Sequence, residues 1–344
     1  MTISEVRPTD RRGLAQVDAL LSREGIRRDK NLDYISAMYD DDWNAIATGS
    51  CFGNTLRCFA VSAARQGEGL LNEIVTHLMA VQAARGNFHL FLYTKPDAAK
   101  FFGDLGFHEI ARVAGTLVFM ENRRDGFSGY LRDLAKTKRP GKTAAVVMNA
   151  NPFTLGHRYL TETASAACDT LHLFMVSEDA SLVPYAVRKK LIRAGVADLP
   201  NVVLHDSGPY IVRNATFPSY FLKDETAVIE GQARLDLQVF VKIAAALDIT
   251  TRYVGEEPSS QVTGLYNKIM REALPNAGID CAVIPRKERN GAAISASTAR
   301  ECVKRGDFEA LRELVPATTY AYFTSPDAAP VIERIRRAAD VVHY

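Results

Sequence analysis

Two short stretches of the chain carry the residue types that hold phosphate. The first is Asn149-Ala150-Asn151-Pro152-Phe153-Thr154-Leu155-Gly156-His157, and the second is Ile294-Ser295-Ala296-Ser297-Thr298-Ala299-Arg300. In the first, Pro152 stops a strand. Gly156 permits close backbone approach, and His157 falls in the first turn of a helix whose register Tyr159, Leu160, Thr163 and Ala164 carry. A helix N-terminus offers unsatisfied N–H groups and a positive partial charge, which suits a phosphate. A histidine there adds a charged hydrogen bond, and Asn149 and Asn151 add amide donors. In the second stretch, Ser295 or Ser297 reads as an N-cap, and Arg300 lies one turn on, on the face of Ser297. Each stretch taken alone also has a plainer reading: a capping or surface histidine, and a capped helix with an exposed arginine.

The elements that position these residues are legible around them. A buried-strand pattern over Ala144–Asn149 runs straight into the first stretch. Further β-rich runs at Thr170–Val176, Val202–Asp206, Thr251–Val254 and Ala282–Pro285 alternate with helical periods at His157–Cys168, Ala186–Ala197 and Leu235–Leu247. That alternation predicts an α/β fold with a doubly wound parallel sheet, in which ligands sit at the carboxyl ends of the strands near the switch point. Residues 1–121 read as a separate mixed α/β domain. Its helices are expected near Leu14–Glu24 and Leu70–Gln82, and its strands at Trp43–Gly49, Thr55–Val61 and His89–Tyr93. Between the two, 122–142 is basic (Arg123, Arg124, Arg132, Lys136, Lys138, Arg139, Lys142, opposed by Asp125 and Asp133) and ends in the turn dipeptide Pro140-Gly141. It reads as a solvated helix and linker, or as a docking surface for an acidic partner. The larger domain is then 143–344.

Composition narrows the functional classes. A length of 344 residues suits about two domains. With 42 Lys+Arg against 40 Asp+Glu and 47% hydrophobic residues, neither disorder nor bulk nucleic-acid binding is expected. No apolar run approaches the ~20 residues of a membrane span, and the opening MTISEVRPTDRR lacks the apolar core of a signal peptide. Five scattered cysteines without a C-x-x-C pair argue for buried thiols in a reducing cytoplasm, and no H-E-x-x-H pair supports a metal site. Gly141-Lys142-Thr143 imitates the end of a P-loop. However, Lys136 stands where the first glycine belongs, and the triplet precedes its strand instead of following it. No G-x-G-x-x-G follows that strand either.

The phrase N-P-F-T-x-G-H resembles the (H/T)-x-G-H signature of the nucleotidylyltransferase superfamily, with Thr154 where many members carry the first histidine. Ile294–Arg300 resembles the superfamily's I-S-x-(S/T)-x-x-R. The two occur in the right order, about 140 residues apart, each at a strand-to-helix junction. The resemblance implies that ATP lies across the strand ends with Mg2+ neutralising its triphosphate. A nucleophile attacks the α-phosphate in line and pyrophosphate leaves. His157 and Thr154 would face the α-phosphate, and Arg300 and Ser297 the departing phosphates. Asn149, Asn151, Phe153, Gly156, Gly255, Glu257, Ile294 and Ser295 would line the nucleotide site. Asn267 could lie nearby, and Glu257 could equally pair with a neighbouring cation.

The other junctions narrow the acceptor. Ser177-Glu178-Asp179-Ala180-Ser181, Asp206-Ser207-Gly208-Pro209-Tyr210-Ile211-Val212, Ala215-Thr216-Phe217-Pro218-Ser219-Tyr220-Phe221-Leu222-Lys223 and Gly255-Glu256-Glu257-Pro258 resemble the citrate lyase ligases, over nearly the whole chain. The family implies acetate as acceptor, an acetyl-adenylate intermediate, and the thiol on the acyl carrier subunit of citrate lyase as the final acceptor. A carboxylate is ionised at pH 7 and needs no base, which fits the lack of an obvious Asp–His or Glu–His pair. The aromatic stretch reads either as an acetate pocket oriented by Thr216 or Tyr220, or as ordinary packing of Tyr210, Phe217, Tyr220 and Phe221.

In the first domain, Ala64–Leu70 resembles the (Q/R)-x-x-G-x-(G/A) loop of GNAT acetyltransferases and Ala99–Phe107 their F-Y-x-x-L-G-F motif, although Ala64 lacks the first polar side chain. The resemblance implies a GNAT fold, either without transferase activity or with a groove for the carrier's arm. Two other readings stay open at this level: a nucleotidylyltransferase passing AMP or CMP to a phosphorylated metabolite, and a non-catalytic carrier-docking protein. Intact His157 and Arg300 favour an enzyme.

Overall fold

The computed structural model describes residues 1–177, 179, 181–211, 217, 225–256, 261–289 and 291–340. The chain forms two units: Met1–Gly129 with Thr216–Gln238, and Tyr130–Ala215 with Val239–Tyr344.

The first unit is built on a mixed sheet of β1 (Thr2–Glu5), β2 (Tyr34–Tyr39), β3 (Ala45–Phe52), β4 (Thr55–Val61), β5 (Phe91–Thr94), β6 (His108–Val113) and β7 (Leu117–Glu121), in the order β1-β2-β3-β4-β5-β7-β6. Its helices are α1 (Arg11–Arg23), α2 (Leu70–Ala84) and α3 (Ala99–Asp104). Successive side chains of a strand point to opposite faces. Ile35 and Ala37 of β2 therefore pack with Val17, Leu20 and Leu21 of α1, while Met38 joins Ile74 and Leu78 of α2 on the other face. Every neighbouring pair is antiparallel except β4 and β5, which run parallel and pair only at Thr55–Phe91 and Leu56–Leu92. This α/β arrangement agrees with the GNAT-like reading of the first domain.

Glu121 ends β7 and starts the next helix, α4 (Gly126–Ala135), which occupies much of the basic stretch. Its buried carboxylate accepts the Phe127 N–H at 2.6 Å and lies 2.6 Å from Nε2 of His89. A negative group there also answers the helix dipole. Gly126 is required, because a β-carbon would stand 2.1 Å from that carboxylate.

The second unit carries five parallel strands in the order β10-β9-β8-β11-β12: β8 (Thr143–Met148), β9 (Thr170–Met175), β10 (Val202–Asp206), β11 (Thr251–Gly255) and β12 (Asp280–Ile284). All five lie within two residues of the runs read from sequence. The order reverses at β8, which places the switch point there. The helices are α5 (Leu155–Ala166), α6 (Tyr185–Gly195), α7 (Glu225–Leu247, in this unit from Val239 on), α8 (Gln261–Ala273), α9 (Ala296–Arg305), α10 (Phe308–Arg312), α11 (Ala317–Phe323) and α12 (Ala329–Arg337), and a short hairpin β13 (Glu288–Arg289) and β14 (Ala292–Ala293) precedes α9. On one face Val146, Leu171, Leu173 and Met175 pack with Leu191 and Ile192 of α6, Val303 of α9 and Phe323 of α11. On the other, Phe240 of α7 lies under the guanidinium of Arg252, 4.2 Å from ring centre to carbon. The helix expected from Leu235 begins ten residues earlier, at Glu225.

Among the described residues no helix is long and apolar enough to cross a membrane. Burial pushes the thiols of Cys51 and Cys58 up to about 11 and about 12, so neither is a nucleophile at neutral pH.

His172 of β9 and His205 of β10 meet on the α7 face of the sheet, with Nδ1 of His172 2.8 Å from Nε2 of His205. Nε2 of His172 is buried without a partner among the described residues. An unpartnered acceptor is the cheaper orphan, so the proton belongs on Nδ1 of His172, which donates to His205. Burial lowers both rings to about 4, and His157 likewise. The unfolded chain therefore binds protons below pH 6.5 that the folded chain refuses, and stability falls as pH drops from 6.5 toward 4. Each ring contributes a slope of up to ~1.4 kcal/mol per pH unit. Urea denaturation at pH 7, 6 and 5 should show this decline, and replacing His172 and His205 together by leucine should make it shallower. An unchanged slope would contradict the neutral pair.

Candidate nucleotide site

A cavity of about 450 Å³ opens at the carboxyl ends of β8, β11 and β12. Asn149, Asn151, Thr154, Gly156, His157, Gly255, Ile294, Ser295, Ser297 and Arg300 all line it. Ten of the residues singled out from sequence are thus brought to one place. Glu257 lies outside the described residues, as do Thr216, Tyr220 and Phe221. Asn267 stands behind the wall, donating to the Gly255 carbonyl at 3.1 Å. Tyr210 and Phe217 are both buried.

The strand-to-helix turn explains the local geometry. After β8 the chain passes Ala150 in the left-handed region (φ 51°), a conformation that costs a non-glycine residue on the order of 1 kcal/mol. Thr154 then caps α5. The His157 N–H donates to its Oγ1 at 3.4 Å, and the Thr154 N–H donates back to Nδ1 of His157 at 3.1 Å, a reciprocal capping box with histidine in the usual Glu/Gln position. Because Nδ1 accepts that N–H, the proton of the neutral ring sits on Nε2. Burial, with the nearby charges of Arg286 and Arg300, lowers His157 to about 4. The resting imidazole is therefore a neutral donor. At rest the donor is thus uncharged, where the sequence suggested a charged one: burial first, and then the two guanidinium groups, disfavour protonation.

Phe153 is a second correction. Its ring is fully buried, stacked on His157 (centroids 5.9 Å apart) and pressed against Gly195, where a β-carbon would lie 2.4 Å from it. It backs the histidine and does not line the cavity.

At the second stretch, Ser295 is the N-cap of α9, accepting the Thr298 N–H at 3.0 Å. Ser297 instead lies 3.3 Å from a terminal nitrogen of Arg300. Arg300 is only 2% exposed, so the exposed-arginine reading fails. Its other terminal nitrogen donates to the Asn151 carbonyl at 2.5 Å, joining the two stretches. Burial lowers Arg300 to about 10, which leaves it cationic at neutral pH. Gly156 completes the junction: a β-carbon there would approach the Ile294 carbonyl to 3.1 Å.

Sequence reasoning missed Arg188. It is fully buried and donates to the carbonyls of Asn149 (2.9 Å), Val176 (2.8 Å) and Val183 (3.0 Å), and to Oδ1 of Asn149 (2.8 Å). It thereby ties the ends of β8 and β9 to the start of α6. The signal was present: Arg188 stands in register with Leu191, Ile192 and Gly195, on the buried stripe of its helix. Also unanticipated were the cavity residues Arg286 and Lys287. With Arg300 they face a single carboxylate on the wall among the described residues, that of Glu256. Three cations against one carboxylate give the wall a net positive charge that suits an anion.

Residues 143–323 match the citrate lyase ligase C-terminal domain. The chain is 42% identical over 283 residues to a citrate (pro-3S)-lyase ligase of Klebsiella pneumoniae, covering 80% of this chain and 83% of that one. It is 36% identical over 326 residues to the namesake of Escherichia coli, covering 93% and 92%. This chain belongs to the citrate lyase ligase family. A solved GNAT-family acetyltransferase from Staphylococcus aureus Mu50 is 13% identical, covering 35% of this chain and 96% of that one, with a TM-score of 0.31.

The two serines divide their contacts: Ser295 caps α9, and Ser297 meets the Arg300 guanidinium. Ser295→Ala should lower stability by about 1 kcal/mol through the lost cap, and Ser297→Ala by clearly less, in thermal or urea unfolding. Equal losses would remove the capping assignment.

Proposed function

We propose that this chain activates citrate lyase by acetylating its acyl carrier subunit, with ATP, and that the cavity is where acetate is adenylated. Family membership supplies the activity. The observation that carries the site is the Arg300–Asn151 bond, which closes two phosphate-type motifs around one cation-lined cavity.

The chemistry follows from the donors present. An acetate oxygen attacks the α-phosphorus, the bond to the β-phosphate bridging oxygen breaks, and pyrophosphate leaves with that electron pair. The carrier thiolate then attacks the acetyl carbon, and AMP leaves. The protein's part is positioning and charge stabilisation. The Nε2–H of His157 suits a non-bridging α-phosphate oxygen: a neutral donor strengthens as charge builds and has no proton to lose. Arg300 supplies fixed positive charge. Mg2+ would screen the triphosphate. One wall carboxylate, Glu256, fits a small hard cation held mainly by phosphate oxygens and water. We assign 1–121 to a GNAT-like domain, 122–142 to a linker and 143–344 to the adenylating domain, with the segment Thr216–Gln238 of the latter grouping with the first unit. We place the reaction in the cytoplasm, where ATP and the carrier meet.

Acetate-dependent exchange of labelled pyrophosphate into ATP should be detectable, and hydroxylamine should trap the intermediate as acetohydroxamate. Exchange that ignores acetate and requires a phosphorylated metabolite would point to a small-molecule nucleotidylyltransferase instead. His157→Ala should cut exchange by about 10²–10³-fold, the usual scale for a lost transition-state donor, while the circular dichroism stays native and stability falls only by the ~1 kcal/mol of a cap.

A further inference from the structure

Arg286 and Lys287, two cations of the cavity, belong to neither phosphate motif. They leave β12 and lead into the β13–β14 hairpin, whose return strand hands the chain to Ile294 and α9. Three contacts hold them. Nε of Arg286 donates to the Glu256 carbonyl beyond β11 at 2.8 Å. The Lys287 carbonyl accepts the Ile294 N–H at 3.0 Å. The Lys287 ammonium lies 5.7 Å from the ring centre of Tyr159 on α5. The pair is therefore anchored to β11, to the base of α9 and to α5, three elements that surround the cavity.

Arg300 differs in kind. It is buried, with one terminal nitrogen on a backbone carbonyl and the other on Ser297. Arg286 is half-buried and Lys287 exposed, so their charges stand where a polyanion enters. A triphosphate brings more negative charge than one guanidinium can answer. As the bond to the α-phosphorus breaks, still more charge collects on the two phosphates that leave.

We propose that Arg286 and Lys287 anchor the departing pyrophosphate, and that Arg300 chiefly holds the two motifs in register. This inference rests on the adenylating reading above. It assigns the leaving-group end of the site to the hairpin entrance, and the α-phosphate end to α5. Anchors of this kind act most strongly when charge has moved onto the leaving group, so they raise kcat more than they lower the KM for ATP.

The test uses the full-length protein in magnesium-containing buffer, with inorganic pyrophosphate and AMP as separate probes in calorimetry. The wild type should bind both. In Arg286→Gln/Lys287→Gln, pyrophosphate affinity should fall by on the order of 10²-fold, the loss of two charge-assisted contacts, with AMP affinity essentially kept. Arg286→Lys should recover part of the pyrophosphate binding. Arg286→Gln should also move the His157 titration midpoint upward by NMR, a readout independent of any phosphate. Undiminished pyrophosphate affinity in the double variant would overturn the assignment, as would an equal loss of AMP and pyrophosphate affinity. A wild type that binds neither probe would overturn the adenylating reading itself.

Discussion

One hydrogen bond organises the second unit: the Arg300 guanidinium on the carbonyl of Asn151, across 149 positions of sequence. Taking a guanidinium out of water is costly unless its N–H groups are met, and here backbone and hydroxyl oxygens meet it. The same bond closes the cavity. It joins the turn after β8 to the start of α9, so the histidine of one motif and the serines of the other share a single wall. Arg188 does a parallel job on the other side of β8, gathering three carbonyls where strands end. Both arginines hold distant parts of the chain together, while Arg300 also keeps its charge on the cavity wall.

The electrostatics of the wall follow from that placement. Burial, helped by the nearby positive charges, holds His157 neutral, and its hydrogen bond from the Thr154 amide selects which nitrogen carries the proton. The imidazole thus offers one directed N–H and no net charge. Positive charge is supplied by groups that cannot lose it at physiological pH. Such an arrangement is insensitive to the pH range in which a free histidine would titrate.

The parallel sheet was legible in the sequence because strands buried on both faces read as short, continuous apolar runs. TAAVVM and TLHLFM are of this kind. In the first unit, β2 (YISAMY) is buried on both faces but interrupts its apolar residues with Ser36, and β6 (HEIARV) is half exposed and mixes polar with apolar residues, so no run announced them. The first ten residues of α7 were missed because their composition suits a helix but their apolar spacing becomes regular only at Leu235. Within the site, residue types and spacing located ten side chains and backbone positions that line one cavity. Depth was not visible. Phe153 was read as a ligand contact and is core; Arg300 could be read as exposed and is buried. Whether a side chain ends behind the wall or on it depends on which distant elements close over it, and Gly195 and Asn151 are both far in sequence from the residues they meet.

The same dependence gives Gly156 a role beyond conformational freedom. It is a spacer of the smallest available size between the first turn of α5 and the strand that delivers α9. A β-carbon there would meet the Ile294 carbonyl at 3.1 Å, so a larger residue presses on the far motif while leaving the polar groups of both motifs in place. Damage of that sort would look like loss of a ligand contact and would in fact be loss of alignment. The shape of this cavity is therefore a property of a gap as much as of the groups that border it.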